Sequence, residues 1–388
     1  MQNLIRLTII VFILSGCYAT TDKYILPKAS NDSLSYYPPV PPTLDKNEFR
    51  HIYEAANGFY QNTLIPTRFN GAILVAKKGQ IVFEEYNGVE SNTTKEKIDS
   101  ASAFHLASVS KTFTGMAVLK LWEEGKLGLG DEVSTYLTGF PCKGVTVRTL
   151  LNHRSGLPNY VHFMELNGWD RKKTVTNQDI LDFIIAKKAK LDIGRPDRGF
   201  SYSNTNYALL ALIVEKVSGK QFSQYLQETF FTPLQMTNTF VFSMDKKDQV
   251  MPSYNWKNQQ EAFTFLDAVV GDKNVYSTPR DLLKWDLGLT YGKLFKQATL
   301  DSAYIGYSNE KAGIKNYGLG WRMYDYPNGK KIIYHNGWWH GNNTVFTRLV
   351  QDSATVIVLG NKYNRRIYDA KKMYGAFGGY SLTADGDE

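Results

Sequence analysis

Residues 46–62, KNEFRHIYEAANGFYQN, put apolar side chains at Phe49, Ile52, Tyr53 and Ala56, the spacing of a helix with one buried face. The period then changes. From Gly71, GAILVAKKGQIVFEEYNG carries two β-rich runs around a Lys-Gly turn and predicts a hairpin. A mostly helical middle follows, beginning with the long apolar run SVSKTFTGMAVLKLWEEG from Ser108. A helix near 177–188 opens on Thr176 and Asp179, spaced as a capping box. YALLALIVEKVSG is closed by Gly219, and STPRDLLKWDLGL starts another helix at Thr278-Pro279.

Strand character returns toward the C-terminus. GLGWRMYDYPNGKKIIYHNG holds a Pro-Asn-Gly turn between aromatic-rich runs; NTVFTRLV and ATVIVLGN follow, and the amphipathic segment RRIYDAKKMYGAF ends the fold. Strands at both ends with helices between predict an α+β fold. One antiparallel sheet is built from N- and C-terminal strands and flanked by helices, a mostly helical lobe is inserted, and a cleft lies where the lobes meet.

Composition narrows the setting. Apolar content of 43% with 14% aromatics indicates a well-packed body in a chain of 388 residues, and no repeat period is visible. Residues 1–17 read as a leader: Arg6, the short apolar run LTIIVFIL, then Leu14-Ser15-Gly16-Cys17. That ending resembles the bacterial lipoprotein signal, in which the cysteine becomes the lipidated N-terminus. Residues 18–44, with Pro38, Pro39, Pro41 and Pro42, read as an extended tether, leaving 45–388 as the folded domain. This implies a protein of the bacterial cell envelope, periplasmic or at the surface, held to a membrane by its lipid. The second cysteine, Cys142, has no partner for a disulfide and reads as a small packing residue. A net charge of +8, without long basic runs, favours anionic surface material and does not indicate nucleic acid. None of the six histidines forms an H-E-x-x-H cluster, so no metal is expected.

Chemistry concentrates at Ser108-Val109-Ser110-Lys111. Ser and Lys three apart share a helix face, and a helix N-terminus leaves backbone N–H groups free to meet a developing oxyanion. Two other S-x-x-K strings occur, Ser243 to Lys246 and Ser308 to Lys311, but neither opens an apolar helical pattern. Tyr202-Ser203-Asn204 precedes the next apolar helix, where Tyr202 could act as a base and Asn204 could donate to a substrate carbonyl. Y-x-N also occurs at Tyr60, Tyr307, Tyr326 and Tyr334, so this string is not specific alone. His335-Asn336-Gly337 is the one H-x-G, on a predicted strand; Gly337 would admit close approach of a substrate, and the Trp338 N–H would be a second oxyanion donor.

The ordered set SVSK, YSN and HNG resembles the serine β-lactamase and penicillin-binding protein family, in its class C-like branch with D-alanyl-D-alanine carboxypeptidase and esterase relatives. LLNHRSGLP (150–158), FTPLQMTNT and VYSTPRDLLKW resemble recurrent segments of that branch, and the likeness runs from about residue 48 to 378. The resemblance implies a β-lactamase/transpeptidase-like fold. It also implies a Ser108 acyl-enzyme, Lys111 and Tyr202 sharing the general-base role, and Asn204 holding Lys111 and the substrate amide. His335 stands where the family often has lysine, placed to polarise Tyr202 or meet a substrate carboxylate. Asn159 and Tyr160 would line the cleft. No metal or organic cofactor is implied. The substrate would be a small molecule or peptide: a D-amino-acid peptide of peptidoglycan type, a small ester, or, weakly, a β-lactam. The alternative is a non-catalytic, cell-wall-binding lipoprotein of the same fold. Strand alternation predicts that one of Trp338 and Trp339 faces the cleft and the other faces away.

Overall fold

The computed structural model describes residues 41–292 and 294–380; Cys17 and nearly all of the tether lie outside the described residues. Among the described residues no helix is long and apolar enough to cross a membrane.

Helix α1 (Lys46–Phe59) begins where the Asp45 carboxylate accepts the Asn47 and Glu48 N–H groups, and it buries Ile52, Ala56 and Phe59. Strands β1 (Gly71–Lys77) and β2 (Gln80–Asn87) form the expected hairpin, turned at Lys78 and Gly79, both at positive φ. Strand β3 (Phe104–His105) leads to α2 (Ser110–Glu123). Helices α3 (Val147–Leu151), α4 (Tyr160–Leu166), α5 (Asn177–Lys187), α6 (Asn204–Ser218) and α7 (Phe222–Leu226) make up the middle of the chain. Strands β4 (Phe240–Val241) and β5 (Val275–Ser277) follow, then α8 (Pro279–Tyr291) and α9 (Gln297–Ala303). The chain closes with β6 (Lys315–Tyr317), β7 (Arg322–Asp325), β8 (Lys331–Trp339), β9 (Asn342–Leu349), β10 (Ala354–Gly360) and a helical segment, Arg365–Phe377.

Local signals set several boundaries. Thr176 Oγ1 accepts the Asp179 N–H at 3.2 Å while the Asp179 carboxylate takes the Thr176 N–H at 2.8 Å, so α5 starts on the capping box. Gly219 ends α6 at φ +69°, and Thr278 caps α8 ahead of Pro279. Each such N-cap contributes about 1 kcal/mol.

Seven strands form one antiparallel sheet in the order β2-β1-β10-β9-β8-β7-β6, so the N-terminal hairpin pairs with the C-terminal strands as expected. Ala72, Leu74, Ile357 and Leu359 face the helical lobe, whereas Ile73, Val75, Val356 and Val358 face α1 and the C-terminal helical segment. Both faces are covered, which is why β1 and β10 read as unbroken apolar runs rather than alternating ones. A small sheet, β3-β5-β4, lies at the start of α2. Cys142 is buried in the helical lobe's core; burial pushes its thiol pKa up, as suits a packing residue.

Candidate active site

Ser108 lies in the tight turn Ala107–Val109 that winds directly into α2, and its side chain faces a cavity of about 940 Å³. Lys111, one turn on, is completely buried. Its Nζ donates to Ser108 Oγ at 3.0 Å and to the Asp272 carbonyl at 2.7 Å, and it lies 5.1 Å and 5.6 Å from the ring centres of Tyr202 and Tyr207. The Tyr202 hydroxyl reaches Ser108 Oγ from α6's leading loop at 2.9 Å. Lys111 and the sequence-distant Tyr202 therefore meet at one oxygen, and either the lysine amine or the tyrosine phenolate, once deprotonated, would be within reach of the serine proton.

Aromatic packing fixes Tyr202. Its ring is 4.2 Å from His153, centre to centre, and the Arg322 guanidinium carbon lies 5.3 Å from its centroid. His153 is fully buried; its Nδ1 accepts the Ser203 N–H at 3.2 Å and the Asn206 side-chain amide at 3.1 Å. Burial, then the charges of Lys111 and nearby groups, holds its pKa well below the usual histidine value. Asn206 also accepts the Ser155 hydroxyl, tying LLNHRSGLP to the base of α6.

The other expected site residues are placed differently from one another. Asn204 opens α6 and lines the same cavity as Ser108, but Lys111 is held by Ser108 and Asp272, with no hydrogen bond to Asn204. His335 is on β8 as expected, yet it is buried behind Tyr202 and does not line the cavity. Its Nδ1–H donates to the Asn336 carbonyl at 2.7 Å, and its Nε2 takes the Tyr317 hydroxyl at 3.2 Å. Both bonds fit a neutral ring, and burial followed by Arg322 and Lys111 keeps its pKa well below the ordinary value. It is therefore not a cation aimed at a substrate carboxylate.

Gly337 serves chain packing. A Cβ there would lie 2.4 Å from the Leu106 carbonyl and 2.9 Å from Ala107 Cβ, so β8 runs against the segment that carries Ser108. Strand β7 ends its pairing with β8 at Arg322–Tyr334, leaving β8 without a β7 partner from His335 onward. Tyr160 does not line the cavity: it is fully buried, and its hydroxyl donates to Asp272 Oδ2 at 2.9 Å and accepts from Lys273, while Asn159, Val161 and His162 border the opening. Trp338 and Trp339 both border the cavity, against the expected alternation. The strand ends at Trp339 and turns at His340, at φ +50°, so the alternation stops there. Trp338 is 64% exposed with its indole N–H on the His340 carbonyl, whereas the Trp339 indole N–H is tied to Asp267.

Sequence reasoning did not assign a role to Asp272, whose backbone carbonyl leaves no residue signature, or to Arg322, which follows the GLGW string at the cavity wall. His153 was visible only as part of a recurrent segment.

The antiparallel sheet with its helical lobe, and a serine hydrogen-bonded by lysine and tyrosine at the cavity between them, define a serine hydrolase of the penicillin-binding and β-lactamase fold. The chain belongs to the Beta-lactamase family, whose model matches residues 66–376. It is 34% identical over 318 residues to Penicillin-binding protein 4* of Bacillus subtilis, covering 78% of this chain and 70% of that protein. Among solved structures, a penicillin binding protein from Bacillus halodurans superposes with a TM-score of 0.70 at 23% identity, covering 80% of this chain and 96% of that one. The D-amino acid amidase of Ochrobactrum anthropi SV3 gives 0.68 at 23%, covering 82% and 97%. Those likenesses establish the fold.

Proposed function

We propose that this protein is an exported, lipid-anchored serine hydrolase of class C-like type that acylates Ser108 with a D-amino-acid peptide or a related amide. The observation that carries the reading is the convergence of Lys111 and Tyr202 on Ser108 Oγ, at 3.0 and 2.9 Å, on a cavity wall. Ser108 Oγ attacks the scissile carbonyl carbon and yields its proton to Lys111 or Tyr202. The oxyanion forms against the Ser108 and Trp338 backbone N–H groups. The C–N bond breaks as the leaving amine takes that proton, and water then hydrolyses the ester to free acid and serine. Arg322, 5.3 Å from the Tyr202 ring centre, borders the cavity together with Lys315 and Arg365, which supports a substrate that carries a carboxylate. The names of the relatives, penicillin-binding protein and D-amino acid amidase, agree with that class.

The test is covalent labelling with a fluorescent penicillin and a fluorophosphonate, in wild type and Ser108→Ala. Label on wild type alone is expected; equal label on both overturns the nucleophile. Wild type should then release D-Ala from an acyl-D-Ala-D-Ala peptide faster than it releases D-alaninamide from the corresponding C-terminal amide, and a wild type that binds penicillin without turning over any amide or ester would favour the non-catalytic binding lipoprotein. Lipidation at Cys17, expected from the leader, is tested by lipid labelling of Cys17→Ser; retained label removes the anchor from the proposal.

A further inference from the structure

Ala107, the residue before the nucleophile, is buried and held at φ +49°, in the left-handed region. For a non-glycine residue that conformation costs on the order of 1 kcal/mol or more and persists only where neighbours enforce it. Backbone and side-chain bonds enforce it here. Leu106 N–H donates to the Val275 carbonyl at 2.9 Å, the Leu106 carbonyl accepts the Thr344 hydroxyl at 2.8 Å, and Ala107 N–H donates to Nδ1 of His105 at 3.0 Å.

The His105 ring is itself fixed. It is buried, edge-on to Tyr276, with Nε2 2.9 Å from Asn274 Oδ1. The Asn274 amide nitrogen donates to the Asp267 and Val269 carbonyls at 2.7 and 2.9 Å, so its oxygen is the acceptor and His105 Nε2 carries the proton. That leaves Nδ1 unprotonated, the form that can accept from Ala107. Burial keeps the ring neutral, pushing its pKa down to about 4.

The segment around Asn274 holds the lysine as well. Asp272, two residues earlier, gives its carbonyl to Lys111 Nζ at 2.7 Å, and Val275, one later, gives its N–H to Ser110 Oγ at 3.0 Å. Asn274 also stands at positive φ, +75°. Nucleophile and lysine are thus referenced to one short stretch of chain, through a side-chain link on one side and a carbonyl on the other.

We infer that His105 and Asn274 are positioning residues for acylation: the chain from Asn274 amide to His105 imidazole to Ala107 N–H holds Ser108 in its turn, in register with Lys111. The inference rests on Ser108 being the acylated nucleophile. Neither side chain touches substrate; each acts through the backbone of residue 107.

The experiment measures the acylation rate constant and the non-covalent affinity separately, by pre-steady-state labelling of the purified protein with a fluorescent penicillin or an activated ester. His105→Phe keeps an aromatic ring, one atom larger, and removes both nitrogens. Its acylation should slow roughly tenfold to a hundredfold, the size of effect expected when a reacting group is displaced by about an ångström, with affinity unchanged. His105→Asn places an oxygen where Nδ1 stood and should recover most of the rate. His105→Gln reaches toward Asn274 without serving Ala107 and should remain slow. Asn274→Ala should be slow too, and its combination with His105→Phe no slower than the slower single variant, because both break one chain. His105→Phe acylating at the wild-type rate, His105→Asn no faster than His105→Phe, or multiplicative losses in the double variant would each overturn the inference. If His105→Phe fails to fold, His105→Gln against His105→Asn decides the same point. A wild type that no probe acylates sinks the hydrolase reading itself, and that control alone separates the two failures.

Discussion

Gly337→Ala offers a direct test of how the sheet sets the nucleophile. A Cβ at this position would stand 2.3 Å from Thr344 Oγ1, 2.4 Å from the Leu106 carbonyl oxygen and 2.9 Å from Ala107 Cβ. Thr344 can rotate away, but only by giving up its 2.8 Å hydrogen bond to the Leu106 carbonyl. The carbonyl itself is backbone and is held from behind, through Leu106 N–H on Val275. Strand β8 or the 106–108 segment must therefore shift by about 1 Å to reach ordinary contact. Overpacking of this kind costs about 1–3 kcal/mol, and the lost hydroxyl bond adds about 1 kcal/mol. The kinetic consequence is larger in proportion: a displacement of about 1 Å at a reacting atom costs on the order of a hundredfold in rate. Urea unfolding reads the first quantity, as a lower midpoint at unchanged slope. Pre-steady-state labelling of Ser108 reads the second. Wild-type acylation in a variant that has lost the expected stability would show that the β8 backbone does not position Ser108, and an unchanged midpoint would show that the contact is not made.

Lys111→Met removes a buried amine whose hydrogen bonds go to a hydroxyl and a carbonyl; acylation should fall by about 10²-fold or more while urea stability stays within about 1 kcal/mol. Retained acylation would transfer the base role wholly to Tyr202. Asp286→Ala leaves Arg348 buried without the carboxylate it shares with Thr355, and should cost about 3–5 kcal/mol in urea unfolding with Ser108 labelling intact in the folded fraction. The pKa of His105, pushed by burial to about 4 from 6.5, makes its contribution complete above pH 6.5 and progressively lost as pH falls to 4, by about 1.4 kcal/mol per unit. His153 and His335 act in the same direction, so a urea midpoint equal at pH 7.5 and pH 5 would contradict all three neutral, buried assignments.

The sheet was legible because its strands carry their own signal. β1 and β10 are apolar on both faces, and the turns at Lys78-Gly79 and Pro327-Asn328-Gly329 mark the hairpins. Helix context was enough to separate Ser108 and Lys111 from two decoy strings with the same spacing. What sequence could not supply was the direction of a side chain once its strand or helix was known. His335 has the expected strand but turns inward to Tyr317, eighteen residues earlier on β6. Tyr160 sits in the expected stretch, yet the rotation of α4 sends its hydroxyl to Asp272 and leaves its neighbours at the opening. The anchor of Lys111 was beyond reach for a different reason: it is a main-chain carbonyl brought in from 161 residues away.

The charge pattern around Ser108 follows from these placements. Two imidazoles, His153 and His335, flank Tyr202, at 4.2 and 6.3 Å between ring centres, and both are held neutral by burial with Lys111 and Arg322 adding like-charge repulsion. Charging either ring in place would put a third cation beside the lysine and the arginine in a site closed to water on that side. The rings therefore serve as neutral walls that keep the phenol over the serine, and the basic side chains beside them are Lys111 within and Arg322 at the cavity face. On that arrangement the folded site keeps both rings neutral while stability declines, because below pH 6.5 it is the unfolded chain that takes up the protons; acylation by the folded fraction should therefore persist as pH falls and be lost with unfolding, and a fall in acylation ahead of unfolding would contradict the neutral walls.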